Sequence, residues 1–299
     1  MPLDPLLAPL LDALNARPVP AWRTVEERRA LSRGGSGHPY QALVEAEPEI
    51  DGVYEETLPE GFSVRVYPGG PGLLLHFHGG GWWSGSAAES EWRCRAFAGR
   101  AGVTVVSADY RLAPEHPFPT PVEDCYRALE WAVGRFRPER IGVTGESAGG
   151  NLAAAVALLA RDRNGPTLAV QVLEIAPFDL TWASPSIERY ATGHLITAED
   201  LYWCRAAYLG WHSPAHPLAS PLHAPTLAGL PPALIVSAEC DPLADDGRRY
   251  AERLVASRVK AEFRLFEGHV HGSQSLTALL PSAREWRDLV VGAVREHLG

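Results

Sequence analysis

The sequence predicts an α/β protein built on a mainly parallel sheet with helices on both faces. Two observations carry that expectation. Short runs rich in Val, Ile and Leu recur at strand length, with amphipathic runs of helix length between them. Such alternation is the pattern of a parallel sheet buried on both faces. The 299 residues and 46% apolar content then suffice for one large domain with a small addition.

Taken in order, Leu6, Leu7, Leu10, Leu11 and Leu14 fall on one helical face, and a second helical pattern covers 25–31 after the Pro18-Val19-Pro20 break. Residues 32–37, rich in Gly and Ser, read as a linker. Two hairpin-like strands are expected at 42–46 and 62–67, with turn residues between them. Six more strands are expected at 73–77, 103–108, 140–144, 170–175, 233–238 and 262–266, and helices at 88–100, 120–135, 148–162, 242–257 and 281–297. The stretch 180–218 breaks the alternation and carries Trp182, Tyr190, Tyr202, Trp203, Tyr208 and Trp211. It reads as a helical insertion whose aromatics mainly pack against the core. The expected organisation is N-terminal helices at 1–37, a core of 38–179 plus 219–299, and an insertion at 180–218.

Composition narrows the function. A net charge of −9 without a Lys/Arg cluster disfavours nucleic acid and anionic membranes as partners. Cys94, Cys125, Cys204 and Cys240 lack C-x-x-C or metal-ligand spacing, which suits free thiols in a reducing compartment. The start Met1-Pro2-Leu3-Asp4-Pro5 lacks the basic residues of a signal peptide, and the apolar run at 6–14 is broken by Asp12 and too short to span a bilayer. The expectation is a cytoplasmic protein that needs no metal or organic cofactor.

Two motifs carry chemistry. Gly145-Glu146-Ser147-Ala148-Gly149-Gly150 follows an apolar strand and opens a helical run. A serine between glycines at such a junction is a nucleophile elbow, with its Oγ exposed on a sharp turn. The bland alternative is a Gly-rich turn capped by serine. The second motif is His78-Gly79-Gly80-Gly81-Trp82-Trp83, directly after the strand at 73–77. Consecutive glycines leave backbone N–H groups free to face an anion. Gly80, Gly81 and Ala148 are the expected oxyanion donors, with Gly79 as a near alternative.

With these motifs the chain resembles the hormone-sensitive-lipase-like family of α/β-hydrolases, over nearly its whole length. Asp109-Tyr110-Arg111-Leu112-Ala113-Pro114-Glu115-His116-Pro117 is similar to that family's loop after the next strand, and Ser237-Ala238-Glu239-Cys240-Asp241-Pro242-Leu243 to the turn that carries its triad acid. Gly268-His269-Val270-His271-Gly272 resembles its histidine loop. The resemblance implies the α/β-hydrolase fold with an eight-stranded, mainly parallel sheet and a helical cap. It also implies a serine carboxylesterase for short- to medium-chain esters, acting through an acyl-enzyme on Ser147. An amidase on the same triad and a non-catalytic ligand-binding protein are the alternatives; a lipase is disfavoured because no lid with an exposed apolar face is evident.

The catalytic order in this fold is Ser, then acid, then His, which Ser147, Asp241 and His271 satisfy. Asp241-Pro242 also reads as a helix start, and Glu239 is a second acid candidate. His269 follows glycine and His271 precedes it; the family pattern favours His271, although Ser273 stands where that family has an aromatic. His78 and Glu146 are expected to brace the oxyanion loop and the elbow. Asp109, Arg111 and Glu115 should form a structural ion-pair cluster, and Asp245 and Asp246 favourable charges at a helix start. His116, His194, His212, His216 and His223 have no supporting motif. The last strand lies at a sheet edge in this fold, which points to edge pairing into a homodimer.

Overall fold

In the computed structural model, residues 3–16, 24–32 and 41–299 are described. The Pro18-Val19-Pro20 break and all of the expected linker beyond Ser32 lie outside them. The sheet has eight strands: β1 (Tyr54–Thr57), β2 (Ser63–Tyr67), β3 (Leu73–Phe77), β4 (Thr104–Asp109), β5 (Ile141–Glu146), β6 (Val170–Glu174), β7 (Ala233–Cys240) and β8 (Ala261–Val270). Their order is β1-β2-β4-β3-β5-β6-β7-β8. The β1–β2 and β2–β4 pairs are antiparallel and the others parallel.

The continuous apolar run Leu73-Leu74-Leu75 is explained by burial on both sheet faces. Leu73, Leu75 and Phe77 join the core under α4 (Thr120–Phe136), α5 (Ala148–Asp162) and α8 (Ala244–Ala256). Leu74 faces the other core, with α3 (Glu91–Ala96) and α9 (Pro281–Leu298). Every residue of α5 from Ala148 to Ala160 is buried. Its alanines let that helix lie close under the strands that carry the site.

Three expectations need correction. No strand forms at 42–46; a 3-10 turn covers Gln41–Leu43, and the first strand is β1. A tight turn, with Leu58 N donating to Phe62 O at 2.8 Å, pairs β2 with 54–57 instead. The earlier segment is held by polar bonds: Glu45 N donates to Thr277 Oγ1 at 2.8 Å, and Arg287 reaches Glu45 and Glu47 at 2.7 and 3.1 Å. The helix expected at 88–100 is shorter, α3 giving way to a π-helical stretch at Phe97–Ala101. The strand expected to end at 266 runs on to Val270, which delivers the chain directly to His271.

The insertion contains α6 (Ser186–Arg189) and α7 (Ala198–Leu209). Before the sheet come α1 (Ala8–Asn15) and α2 (Val25–Ser32). Arg28 of α2 pairs with Asp200 of α7 at 2.7 Å, and its guanidinium lies over the Trp203 ring at 3.9 Å. Arg29 donates to Trp83 O, Ala113 O and Glu115, so α2 is tied both to α7 and to the loop after β3. Among the described residues no helix is long and apolar enough to cross a membrane.

Candidate active site

β5 ends at Glu146 and α5 begins at Ala148, leaving Ser147 alone on the turn with φ 55° and ψ −123°. That conformation costs a non-glycine residue roughly 1–3 kcal/mol and persists only where the surroundings enforce it. A Cβ on Gly149 would lie 1.9 Å from Phe77 O, and one on Gly145 would lie 2.4 Å from the Gly149 carbonyl carbon. Only glycine lets the helix start press against the end of β3 in this way. Ser147 N donates to Glu174 O at 2.8 Å, which pins the turn to β6.

Ser147 Oγ lies 2.9 Å from His271 Nε2, and His271 Nδ1 lies 2.8 Å from Asp241 Oδ2. A carboxylate can only accept, so the Nδ1–H donates to Asp241 and Nε2 is left to accept from the Ser147 hydroxyl. The other Asp241 oxygen accepts from Leu243 N at 2.8 Å. Turn formation and histidine orientation thus use different oxygens, and α8 starts only at Ala244. Glu239 is engaged elsewhere, accepting from Gly268 N at 2.9 Å.

His269 points away from Ser147. Its Nδ1 and Nε2 each lie 2.8 Å from a hydroxyl, Ser273 Oγ and Ser282 Oγ. Ser273 gives its own hydrogen to Val270 O at 2.7 Å, so it accepts from His269 Nδ1–H, and Nε2 accepts from Ser282. Burial pulls the His269 pKa down to about 4, so the ring is neutral. Both nitrogens are spent on bracing the loop that carries His271. Ser273, the departure from the family pattern, is one of the two braces.

The loop after β3 is folded back on itself. Gly80 O accepts from Trp83 N, Ser84 N and Ser84 Oγ at 3.2, 3.0 and 3.0 Å. Gly79 N is spent on Glu146 Oε1 at 3.0 Å. Among the described residues, no hydrogen bond uses the N–H of Gly80, Gly81 or Ala148. Gly80 and Gly81 have φ of 108° and 60°. A Cβ on Gly80 would strike Ser84 O at 2.2 Å, and one on Gly81 would meet Cys204 Sγ at 2.8 Å and Trp83 Cδ1 at 2.9 Å. His78 Nδ1 donates to Gly79 O at 2.7 Å, and its ring stacks on Tyr110, whose hydroxyl donates to His78 O at 2.8 Å. Burial holds His78 below its ordinary pKa.

Beneath this loop lies a buried charge network. Glu146 accepts from Gly79 N, from His76 Nε2 at 3.1 Å and from Ser90 Oγ, with Arg93 Nε at 3.6 Å. Burial alone would raise the Glu146 pKa; His76 and Arg93 outweigh it and hold it near 2. Burial alone would lower His76; the Cys94 sulfur and the Glu146 carboxylate outweigh it and lift it to about 10. Glu174 continues the network, paired with Arg93 and accepting from Trp286 Nε1 at 2.7 Å.

His76 contributes stability fully below its ordinary value near 6.5 and loses it as pH rises through about 10. Glu146 contributes above its ordinary value near 4.5 and loses it as pH falls through about 2. The pair is therefore strongest between those ordinary values and weakens on the alkaline side. Melting temperatures measured across the alkaline range should fall more steeply for the native chain than for Glu146→Gln, in which His76 has lost its anion. Parallel curves would show that the pair does not stabilise the loop.

Two expected clusters are arranged differently. Asp109, Arg111 and Glu115 do not pair with one another: Arg111 forks onto Asp124, Glu115 meets Arg29, and Asp109 accepts from Ala87 N. Asp245 and Asp246 are buried crosslinks rather than exposed dipole charges. Asp246 accepts from Phe178 N, Asp179 N and Ser184 Oγ, and Asp245 from Ser186 N, which fastens the start of the insertion to α8. Burial raises the Asp246 pKa to about 6 despite those donors. Among the other histidines, His223 bonds Asp179, while His212 and His216 pack edge-on to Phe118.

This fold and site define a class, and comparison with known proteins gives the same one. The family model described as alpha/beta hydrolase fold matches residues 74–275. The chain is 36% identical over 315 residues to carboxylesterase NlhH of Mycobacterium tuberculosis, covering 99% of this chain and 96% of that protein. It is 40% identical over 238 residues to carboxylic ester hydrolase LipN of the same organism, covering 76% of this chain and 63% of that longer one. It superposes on a crystal structure of an esterase from the bacterial hormone-sensitive lipase family with TM-score 0.86 at 30% identity, covering 100% of both chains. The chain belongs to the hormone-sensitive-lipase-like family of α/β-hydrolases.

Proposed function

We propose that this chain is a serine carboxylesterase that cleaves short- to medium-chain carboxylic esters through an acyl-enzyme on Ser147. The observation that carries the proposal is the continuous chain from Asp241 through His271 to Ser147, at 2.8 and 2.9 Å, beside unspent N–H groups. In this mechanism Ser147 Oγ attacks the ester carbonyl as its proton passes to His271 Nε2. The carbonyl oxygen becomes an oxyanion received by Gly80, Gly81 and Ala148 N–H. The C–O bond to the alcohol then breaks, and His271 returns the proton to the leaving oxygen. Water repeats the sequence to release the acid and restore Ser147. Asp241 keeps Nδ1 protonated and stabilises the imidazolium.

Residues 1–37 and 180–218 act as a cap that limits substrate size; the Arg28 contacts with Asp200 and Trp203 support that role. A p-nitrophenyl ester series from acetate to laurate should show rates highest at short acyl chains, with the matching anilides cleaved far more slowly. Anilides cleaved as fast as esters would make the protein an amidase, and no turnover of either would remove the catalytic proposal. Gly81→Ala should lower kcat by about 10²–10³, the usual effect of losing an oxyanion donor. A near-normal kcat with a raised KM would reduce Gly81 to a substrate contact.

Two further parts of the proposal concern location and assembly. A cytoplasmic location is supported by four buried cysteines that form no disulfide, and cell fractionation tests it. Homodimerisation through the edge strand β8 is supported by its exposed Leu265; a monomer in sedimentation velocity would remove it.

A further inference from the structure

The turn that carries Asp241 runs straight into α8, and that helix start has no cap of its own. Its N-cap residue is Leu243, an apolar side chain that cannot accept a hydrogen bond. The first N–H groups of a helix have no partner within it and must find one elsewhere. Ala244 N donates to Asp241 O at 3.0 Å, and Leu243 N to Asp241 Oδ1 at 2.8 Å. The next N–H, that of Asp245, donates at 3.2 Å to Ser186 Oγ, 59 residues earlier in α6. Ser186 meets this turn through three bonds. Besides accepting from Asp245 N, its hydroxyl donates to Pro242 O at 2.6 Å, and its backbone N–H donates to Asp245 Oδ2 at 3.0 Å. The residue is 0% exposed. Its own carbonyl accepts from Tyr190 N at 3.0 Å, which fixes it within the insertion. A serine of the insertion thus caps a core helix at the point where Asp241 is carried.

We infer that Ser186 is a positioning residue for the ester reaction: it holds the Asp241 turn so that Oδ2 stays aimed at His271 Nδ1. The inference rests on the reading of Ser147, His271 and Asp241 as a triad. In that reading Asp241 keeps Nδ1 protonated and stabilises the imidazolium, and both tasks depend on its distance and direction. The peptide after Asp241 belongs to a proline, which has no N–H with which to anchor itself. Its carbonyl is the polar handle that remains, and Ser186 Oγ holds it. Removing that hydroxyl leaves Pro242 O and Asp245 N without this partner in a buried place, where unmet polar groups are costly. The turn then relaxes toward other donors and takes Asp241 with it. The neighbouring crosslink of the insertion is aimed differently. Ser184 Oγ donates to Asp246 and accepts from Arg249 Nη1 at 2.7 Å, groups further along α8 than the Asp241 turn. Ser186 therefore ties the insertion to the triad, whereas Ser184 ties it to the helix beyond.

The test is a double-mutant cycle on the full chain, read as kcat and KM for p-nitrophenyl acetate, with a melting curve for each variant. Ser186→Ala should lower kcat at least about 10-fold with KM unchanged, since displacing a catalytic group by about 1 Å can cost about 10² in rate. In the Asp241→Asn background the same change should cost less than about 2-fold, because the carboxylate it positions is already gone. Ser184→Ala should lower the melting temperature and leave kcat as it is. Ser186→Cys keeps a small side chain with a weak donor and should fall between the native chain and Ser186→Ala; it carries the test if Ser186→Ala does not fold. The inference is overturned if the folded Ser186 variant keeps native kcat, raises KM instead, or loses the same factor in both backgrounds. It is equally overturned if Ser184→Ala lowers kcat as much. Asp241→Asn with native kcat overturns the triad reading itself, whereas a crippled Asp241→Asn beside a native-like Ser186→Ala overturns this inference alone.

Discussion

Replacing Ser147 with alanine is expected to lower kcat by about 10⁵–10⁶, the scale seen when a triad serine is removed, with KM little changed. Among the described residues, the Ser147 hydroxyl is the group that bonds His271 Nε2, at 2.9 Å. Without it, in the proposed mechanism, no acyl-enzyme forms, and any residual rate would come from the Gly80, Gly81 and Ala148 amides acting on a water molecule. The elbow should survive, because its φ of 55° is enforced by Gly145, Gly149 and the bond from Ser147 N to Glu174 O, none of which needs the hydroxyl. Initial rates on p-nitrophenyl acetate, with a melting curve to verify folding, decide the matter. A variant that keeps its activity ends the assignment.

The second large effect concerns the base and its acid. Asp241→Asn should cost about 10⁴ in kcat with the fold intact, because an amide NH₂ turned toward His271 favours the wrong tautomer. His271→Ala should be at least as damaging. His269→Ala should cost far less. His269 is 2.8 Å from Ser273 and Ser282 and neutral by burial, so its loss loosens the loop without removing a proton acceptor from Ser147. The three variants are compared by kcat on one short ester after each is shown to fold. Loss of activity in His269→Ala with retention in His271→Ala would reverse the assignment.

Much of this site is legible in the sequence because each part is a local pattern. The elbow needs small residues flanking Ser147, and the structure gives the reason as contacts under 3 Å at Gly145 and Gly149. The glycine loop is equally local. Asp241 and His271 stand out by chain order, since each follows the C-terminal end of a strand that the sheet aligns with β5. What sequence misses is pairing across distance. Glu174 meets Arg93 and Trp286 from 81 and 112 residues away, and no spacing rule announces it. Asp245 and Asp246 look like helix-start charges because local pattern sees only their own helix, while their partners come from 178–186. The strand expected at 42–46 fails similarly: its β-like composition is overridden by ion pairs from α9. His269 and His271 remain open alternatives in the sequence, separated only once hydrogen-bond donors and acceptors are assigned to each ring.

The most direct measurement of the central claim is stoichiometric inactivation with an organophosphonate, followed by mass analysis of the digested protein. Phosphonylation mimics attack on an ester: the nucleophile's oxygen bonds phosphorus, the leaving group departs, and the adduct rests against the oxyanion donors. One adduct per chain is expected on the peptide containing Ser147, with activity lost in proportion to labelling. The same treatment of Asp241→Asn and His271→Ala should label far more slowly, since the serine then lacks its proton acceptor. An adduct on any other residue, or full labelling with activity retained, would contradict the account.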